Sequence, residues 1–374
     1  MLVAKCMFWI DMYKPKTYNL TKVSKTIYRS TPMNNINNVK EASMLKRALY
    51  ITIMLIAFGI PSYAYHIEVL QVSDIEPFDE TYHGFIDELA KNGIVQGKNL
   101  IINRHIIDAD ADAGTWQKIK ILFSIRGTAS DIVKSRPDLV VTISTPATKY
   151  SKGKFIDAGI PVVFTDVAIP EKVGCRSKTV SGPGFTGTTL YIDPLKIFRI
   201  VKQVLPNIKT VGMIHSDDDN AIAYAEETKR KLPQIGIKVL TKQVKKSDSI
   251  KPAAQELISK GINAFVIPID SYYGLRNNEP SRDLFAMRSK GIPAIACVAP
   301  RGIKGALLYI GPDFDVMGKL AAHQVIKILK QGVKPEDIPV ATQEDLNIRV
   351  DMDMVKFHDI KIPLEILQLA KPVE

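Results

Sequence analysis

From His66 onward, short apolar runs alternate with amphipathic stretches along nearly the whole chain. The run 66–73 is strand-like, and Phe78, Tyr82, Phe85, Ile86, Leu89 and Ala90 then fall on one helical face, closed by Gly93. Strands are predicted at 100–108, 138–144 and 160–167, with helices between Thr115 and Lys134 and up to Gly159. The rhythm then repeats, with helices at 192–205, 221–232, 251–260 and 280–290 and strands at 210–216, 237–244, 264–270 and 292–299. These strands are rich in Val and Ile and apolar on both faces, the mark of parallel strands covered by helices on either side. The segment 305–340 reads as strand, turn and long amphipathic helix, with apolar positions suited to packing back on the first half. A short helix and a last apolar segment are predicted within 347–367.

Two such halves in tandem predict an α/β protein of two doubly wound, Rossmann-like lobes with parallel sheets, joined by a hinge that the chain crosses more than once. The expected lobes are 65–168 with 302–340, and 172–299 with 341–374. About 310 residues exceed what one hydrophobic core serves, in agreement with two lobes. Ligands of such sheets sit at the carboxyl ends of strands where the strand order reverses. Two facing sets of strand ends make one cleft, closed by hinge motion.

The residues before His66 follow a different logic. Lys46 and Arg47 precede thirteen uncharged residues, Ala48 to Ile60, then Pro61 and the small-x-small pattern Ser62-Tyr63-Ala64. That is the build of a secretory signal, too short for a membrane span, with cleavage expected after Ala64; a retained N-terminal anchor is the other reading. Residues 1–43 are polar and basic without an apolar period, and are read as an extension outside the native start at Met44, or as a long leader.

Charge changes meaning once this leader is set aside. The formal charge is +11, but residues 1–64 hold nine Lys and Arg against two Asp and Glu, leaving +4 on the remainder. The basic runs at 229–231 and 245–246 read as solvated element ends, so no concentrated stripe for nucleic acid is expected. Of three cysteines, Cys175 and Cys297 lie beyond the leader, near two predicted crossings; one disulfide and two buried thiols both remain open. The six histidines satisfy no triad spacing, and neither G-x-G-x-x-G nor G-x-S-x-G occurs where an enzyme of this layout would need it.

Several motifs, in order and spacing, resemble the periplasmic substrate-binding proteins of ABC transporters, in the type I group whose characterised members bind aromatic amino acids. Phe78-Asp79 with Gly84-Phe85 matches that group's first strand-to-helix turn, and 144–150 matches its turn after the third strand. The stretches 205–216, 290–296 and 305–340 match as well, with Asp313-Phe314 where the group has Asp-Tyr. Departures fall at cleft-facing turns: Ile75-Glu76 for His-Pro, Ile169-Pro170 for Asp-Pro, Ser181-Gly182 for Thr-Gly and Asn220-Ala221 for an opening Ser. The resemblance implies a monomeric, periplasmic solute receptor that serves an ABC permease, without cofactor, catalysis or nucleic acid. Alternatives are a ligand-sensing protein for a signalling receptor and a nucleotide-dependent doubly wound enzyme.

An amino-acid zwitterion needs donors for its carboxylate, an acceptor for its ammonium and an apolar slot. Ser144 and Thr145 open a helix after a strand, either as an anion site or as ordinary caps. Asp74, Asp166 and Asp270, the last beside Ser271, are candidate ammonium acceptors, or exposed turn aspartates. Asp217 opens the acidic junction at 217–219, which helix-dipole stabilisation explains equally. Phe78 and Tyr272, with Tyr273, are candidate stackers; Phe78 also fits a core position.

Overall fold

The computed structural model describes residues 64–108, 115–287, 291–298 and 304–373. The extension 1–43 and the signal segment, apart from Ala64, lie outside the described residues, as do the last residues of the helix expected at 280–290 and residues 299 and 302–303 of the expected lobe boundaries.

The first half builds β1 (Tyr65–Val72), α1 (Glu76–Lys91), β2 (Leu100–Ile107), α2 (Thr115–Ser135), β3 (Leu139–Ile143), α3 (Thr145–Asp157), β4 (Val162–Val167) and β5 (Phe185–Thr189). The chain continues through α4 (Pro194–Val204), β6 (Thr210–His215), α5 (Asp219–Lys231), β7 (Lys238–Gln243), α6 (Lys251–Ser259), β8 (Ala264–Ile267), α7 (Leu275–Ala286) and β9 (Ala294–Ala296). It ends in β10 (Leu308–Gly311), α8 (Phe314–Gln331), β11 (Ala341–Thr342), β12 (Asn347–Val350), α9 (Met352–His358), α10 (Leu364–Leu369) and β13 (Lys371–Pro372).

These strands form two sheets, ordered β11-β5-β4-β3-β1-β2 and β13-β12-β10-β9-β8-β6-β7. All pairings are parallel except β10 with β12. The fold is the expected α/β one, and the apolar runs explain it. Strands β3 and β4 are buried along their whole length, so each needs helices on both faces. Ile67, Val69, Phe85, Leu89, Val141, Val163 and Val325 fill one side of the first sheet, under α1 and α8. Leu70, Ile125, Ile132, Val140, Phe155 and Phe164 fill the other, under α2 and α3.

Sheet membership departs from the expected lobe boundaries. Phe185–Thr189, assigned by sequence to the second lobe, pairs with β4 in the first sheet, and Ala341–Thr342 follows it there. Leu308–Gly311, assigned to the first lobe, pairs with β9 in the second sheet. The sequence of β5, FTGTT, lacks the Val and Ile that flag a buried strand. Its threonines are buried because each hydroxyl has a partner: Thr186 donates to the Ile338 carbonyl (2.8 Å), Thr188 to the Thr165 hydroxyl (2.8 Å) and Thr189 to the Val167 carbonyl (2.8 Å). The chain therefore passes between the sheets three times, after β5, β10 and β11. Leu190, Phe314 and Met317 pack at these passages with Ile269 and Val298.

Candidate functional site

Each sheet reverses its strand order once, between β1 and β3 in the first and between β6 and β8 in the second. Side chains at those carboxyl ends are where this topology places a ligand. In the first sheet they are Ser73 to Phe78 after β1, Ser144 and Thr145 after β3, and Asp166 near the end of β4.

Ser144 is buried with a left-handed backbone (φ 95°), and its hydroxyl caps α3 by accepting from the Ala147 N–H at 3.4 Å. Thr145 does not cap; its hydroxyl accepts from the Asn220 amide at 2.7 Å. Asn220 lies in the first turn of α5, which packs on the second sheet, so this bond ties the two sheets' strand ends together. One turn further along α3, Lys149 pairs with Asp219 at 2.6 Å, a second tie between the same two helix starts. Their exposure limits the ion pair to a small contribution.

Asp166 is 4 % exposed and left-handed (φ 56°), an uncommon conformation for a non-glycine residue. Burial pushes its carboxyl up to about 7, against the pull of the Thr81 and Thr165 hydroxyls. Thr165 donates to Oδ1 at 3.4 Å, while Oδ2 is buried and accepts no hydrogen bond from the described residues. The Ser144 N–H donates to the Thr165 carbonyl at 3.1 Å, which sets Asp166 beside the Ser144–Thr145 turn.

On the second sheet, Asp270 accepts from the Ser216 N–H (2.6 Å), the Ser216 hydroxyl (2.9 Å) and the Tyr272 N–H (3.0 Å). Burial still holds its carboxyl above the ordinary aspartate range. These bonds lock the loops after β6 and β8 to each other, a structural role for Asp270. Of the acidic junction, Asp217 is half-buried at the end of β6, Asp218 pairs with Lys246 at 2.8 Å and accepts from Ser271 at 3.3 Å, and Asp219 reaches Lys149. Lys246 is thus an ion-pair partner and not merely a solvated end; Lys231 likewise bonds Asp193 (2.8 Å) and Glu227 (2.9 Å).

The remaining sequence candidates are not drawn into this grouping. Tyr272 is fully buried in the second sheet's core and donates to the Asp248 carbonyl at 2.8 Å; Tyr273 is buried beside it and donates to the Ile214 carbonyl at 2.9 Å. Neither presents a free face for stacking. Phe78 is half-buried against the α1 side of the first core, and Asp74 is exposed. Cys175 and Cys297 are separate buried thiols in the cores of different sheets, each pushed up to about 12 by burial, so the hinge disulfide does not form. Sequence reasoning missed Asn220, Lys149 and Asp219 as a group; their position at facing strand-to-helix junctions was the available signal.

The match to the family model for ABC transporter substrate binding proteins runs over residues 66–374, the whole two-sheet unit. The chain belongs to that family. It is 27% identical over 298 residues to the tyrosine-binding protein of Clostridioides difficile (strain R20291), covering 79% of this chain and 81% of that protein. Among solved structures, an ABC domain in complex with L-Trp from Streptococcus pneumonia aligns with a TM-score of 0.68 and 22% identity, covering 83% of this chain and 100% of that one. The ligand-free, open structure of a substrate binding protein with adhesive properties from Clostridium difficile aligns with a TM-score of 0.64 and 24% identity, covering 83% and 99%. The fold shared with these neighbours is that of type I periplasmic binding proteins, and the family is one of solute binders. No helix among the described residues is long and apolar enough to cross a membrane.

Proposed function

We propose that this protein is an extracytoplasmic receptor that captures an amino acid, with an aromatic side chain, between its two sheets and delivers it to an ABC permease. The observation that carries this reading is the meeting of the two switch points: Thr145 with Asn220 and Lys149 with Asp219 bring the helix starts of opposite sheets together over buried polar groups. In this reading the segment up to Ala64 directs export and is removed, and the remainder works in the periplasm as a monomer. The ligand favours the closed arrangement by contacting both lobes at once, since only differential affinity shifts the equilibrium. The permease then reads the joined lobe rims. The chemistry is binding, not catalysis. Support for an amino-acid cargo comes from the two relatives named for tyrosine and solved with L-Trp, and from the donors and carboxylates at the strand ends.

The test is a thermal-shift panel on the purified protein with L-tyrosine, L-tryptophan, L-phenylalanine, other amino acids, sugars and small organic ions. A ligand at 100 times its dissociation constant stabilises the native state by about 2.7 kcal/mol, a readily measured shift. A selective shift with an aromatic amino acid is the expected result. A shift with sugars alone would overturn the amino-acid cargo.

A further inference from the structure

We propose that Asp166 selects the ligand: its buried carboxylate oxygen Oδ2 accepts a hydrogen bond from a primary ammonium group of the bound solute. This rests on the receptor reading above and names the chemical group that the site requires.

Four observations converge. Among the described residues Asp166 is one of the most buried carboxylates, yet its Oδ2 accepts no hydrogen bond from any of them. A buried acceptor left unmatched is costly, so an Oδ2 without a hydrogen bond is a place for a ligand's donor. Second, it stands at a strand's carboxyl end with φ 56°, a strained setting that sets it apart from an ordinary core position. Third, Asn220 Oδ1 from the opposite sheet is also buried without a partner among the described residues, while its amide nitrogen is spent on Thr145. Two unmatched acceptors, one from each lobe, flank the same Ser144–Thr145 turn. A group with several donors satisfies both, and a positive charge adds attraction to the carboxylate; an acceptor-only group such as a carboxylate satisfies neither.

Fourth, the charges on the neighbouring elements are engaged elsewhere. Asp79 of α1 is held by Arg104 at 2.6 Å, Asp315 of α8 by Lys319, and Lys149 of α3 by Asp219 at 2.6 Å, while Lys152 of α3 lies over the Phe185 ring. Strands β3 and β5 carry no charged residue. Across the passage, Asp218 is held by Lys246 and Asp270 by three donors; His215, Asp217 and Asp313 also stand at that rim, and Asp74 and Glu76 follow β1 on the first sheet. Burial pushes the Asp166 carboxyl up to about 7, with the Thr81 and Thr165 hydroxyls pulling the other way. Capture of R–NH3+ converts the carboxylic acid to a carboxylate–ammonium pair and releases one H+ to the buffer. Affinity for an amine therefore rises with pH and levels off above about 7.

Calorimetric titration of the full protein with L-tyrosine, L-tryptophan, L-phenylalanine and methylammonium, at pH 5 to 8 and in two buffers of different ionisation enthalpy, tests this. The deaminated acids, such as 3-phenylpropionate, serve as matched controls. The expected result is roughly tenfold tighter binding per pH unit up to about 7, with close to one proton released at pH 5 to 6. At pH 8, Asp166→Asn should weaken binding about ten- to hundredfold and flatten the pH profile. The proton count on the unsubstituted protein does not depend on the variant folding. Binding of methylammonium but of no amino acid would uphold Asp166 and sink the amino-acid cargo. Equal binding of amino acid and deaminated acid, an unchanged pH profile in Asp166→Asn, or no binding of any amine at pH 8 would overturn the proposal.

Discussion

Asp166 concentrates the conflict between stability and function in one side chain. Its folded carboxyl sits near 7, above the ordinary aspartate value of 3.8, so the native state holds an extra proton between those limits. The contribution of this group to stability is then greatest in acid and falls as pH rises through that window, by up to about 4 kcal/mol in total. Asp166→Asn removes the charge but keeps the shape. Without ligand, its urea midpoint should match the native protein near pH 4 and exceed it at pH 8; equal midpoints at both would refute the buried-charge account. Sequence could nominate Asp166, since strand ends carry ligands in doubly wound sheets, but it ranked alike with Asp74 and Asp270. Burial and partners separate them: Asp74 is exposed and Asp270 is satisfied by three donors. The adjacent tyrosines misled for a related reason. An aromatic pair after a strand looks like a stacking wall until its hydroxyls are seen bonded to the Asp248 and Ile214 carbonyls inside the core.

At the scale of elements, the helix α8 returning from the second sheet is what holds the first lobe's α1 face. The two helices touch backbone to backbone. A Cβ on Gly318 would lie 2.0 Å from the Thr81 carbonyl oxygen, and one on Gly84 2.3 Å from that of Asp315. The same approach lets the Thr81 hydroxyl donate to the Phe314 carbonyl at 3.1 Å. Gly318→Ala must force the helices apart, an overpacking cost of about 1–3 kcal/mol or more, measurable as a lowered denaturant midpoint. An unaltered midpoint would mean that the crossing is looser than described. The periodicity of 305–340 made this helix and its return to the first lobe legible, because the apolar face is continuous. The strand β5 was not, because it is buried through threonine hydroxyl bonds, and β10, legible as a strand, was grouped with the helix that follows it although it pairs with β9 in the second sheet. Hydropathy does not register hydroxyl bonds of the kind that bury β5.

For the whole molecule, the alternation of apolar strands and amphipathic helices was enough to specify two doubly wound sheets. Which side chains of one sheet meet those of the other was not written in any local pattern. Asn220 and Thr145 are 75 positions apart, and only the facing of the two switch points joins them. That meeting is the core of the functional account: a ligand held by both sheets should draw them together. Small-angle X-ray scattering, with and without saturating L-tyrosine, L-tryptophan or whichever solute gives the largest thermal shift, measures this directly. A smaller radius of gyration and a shorter maximum dimension are expected on binding. Saturated binding with an unchanged scattering profile would contradict closure between the lobes.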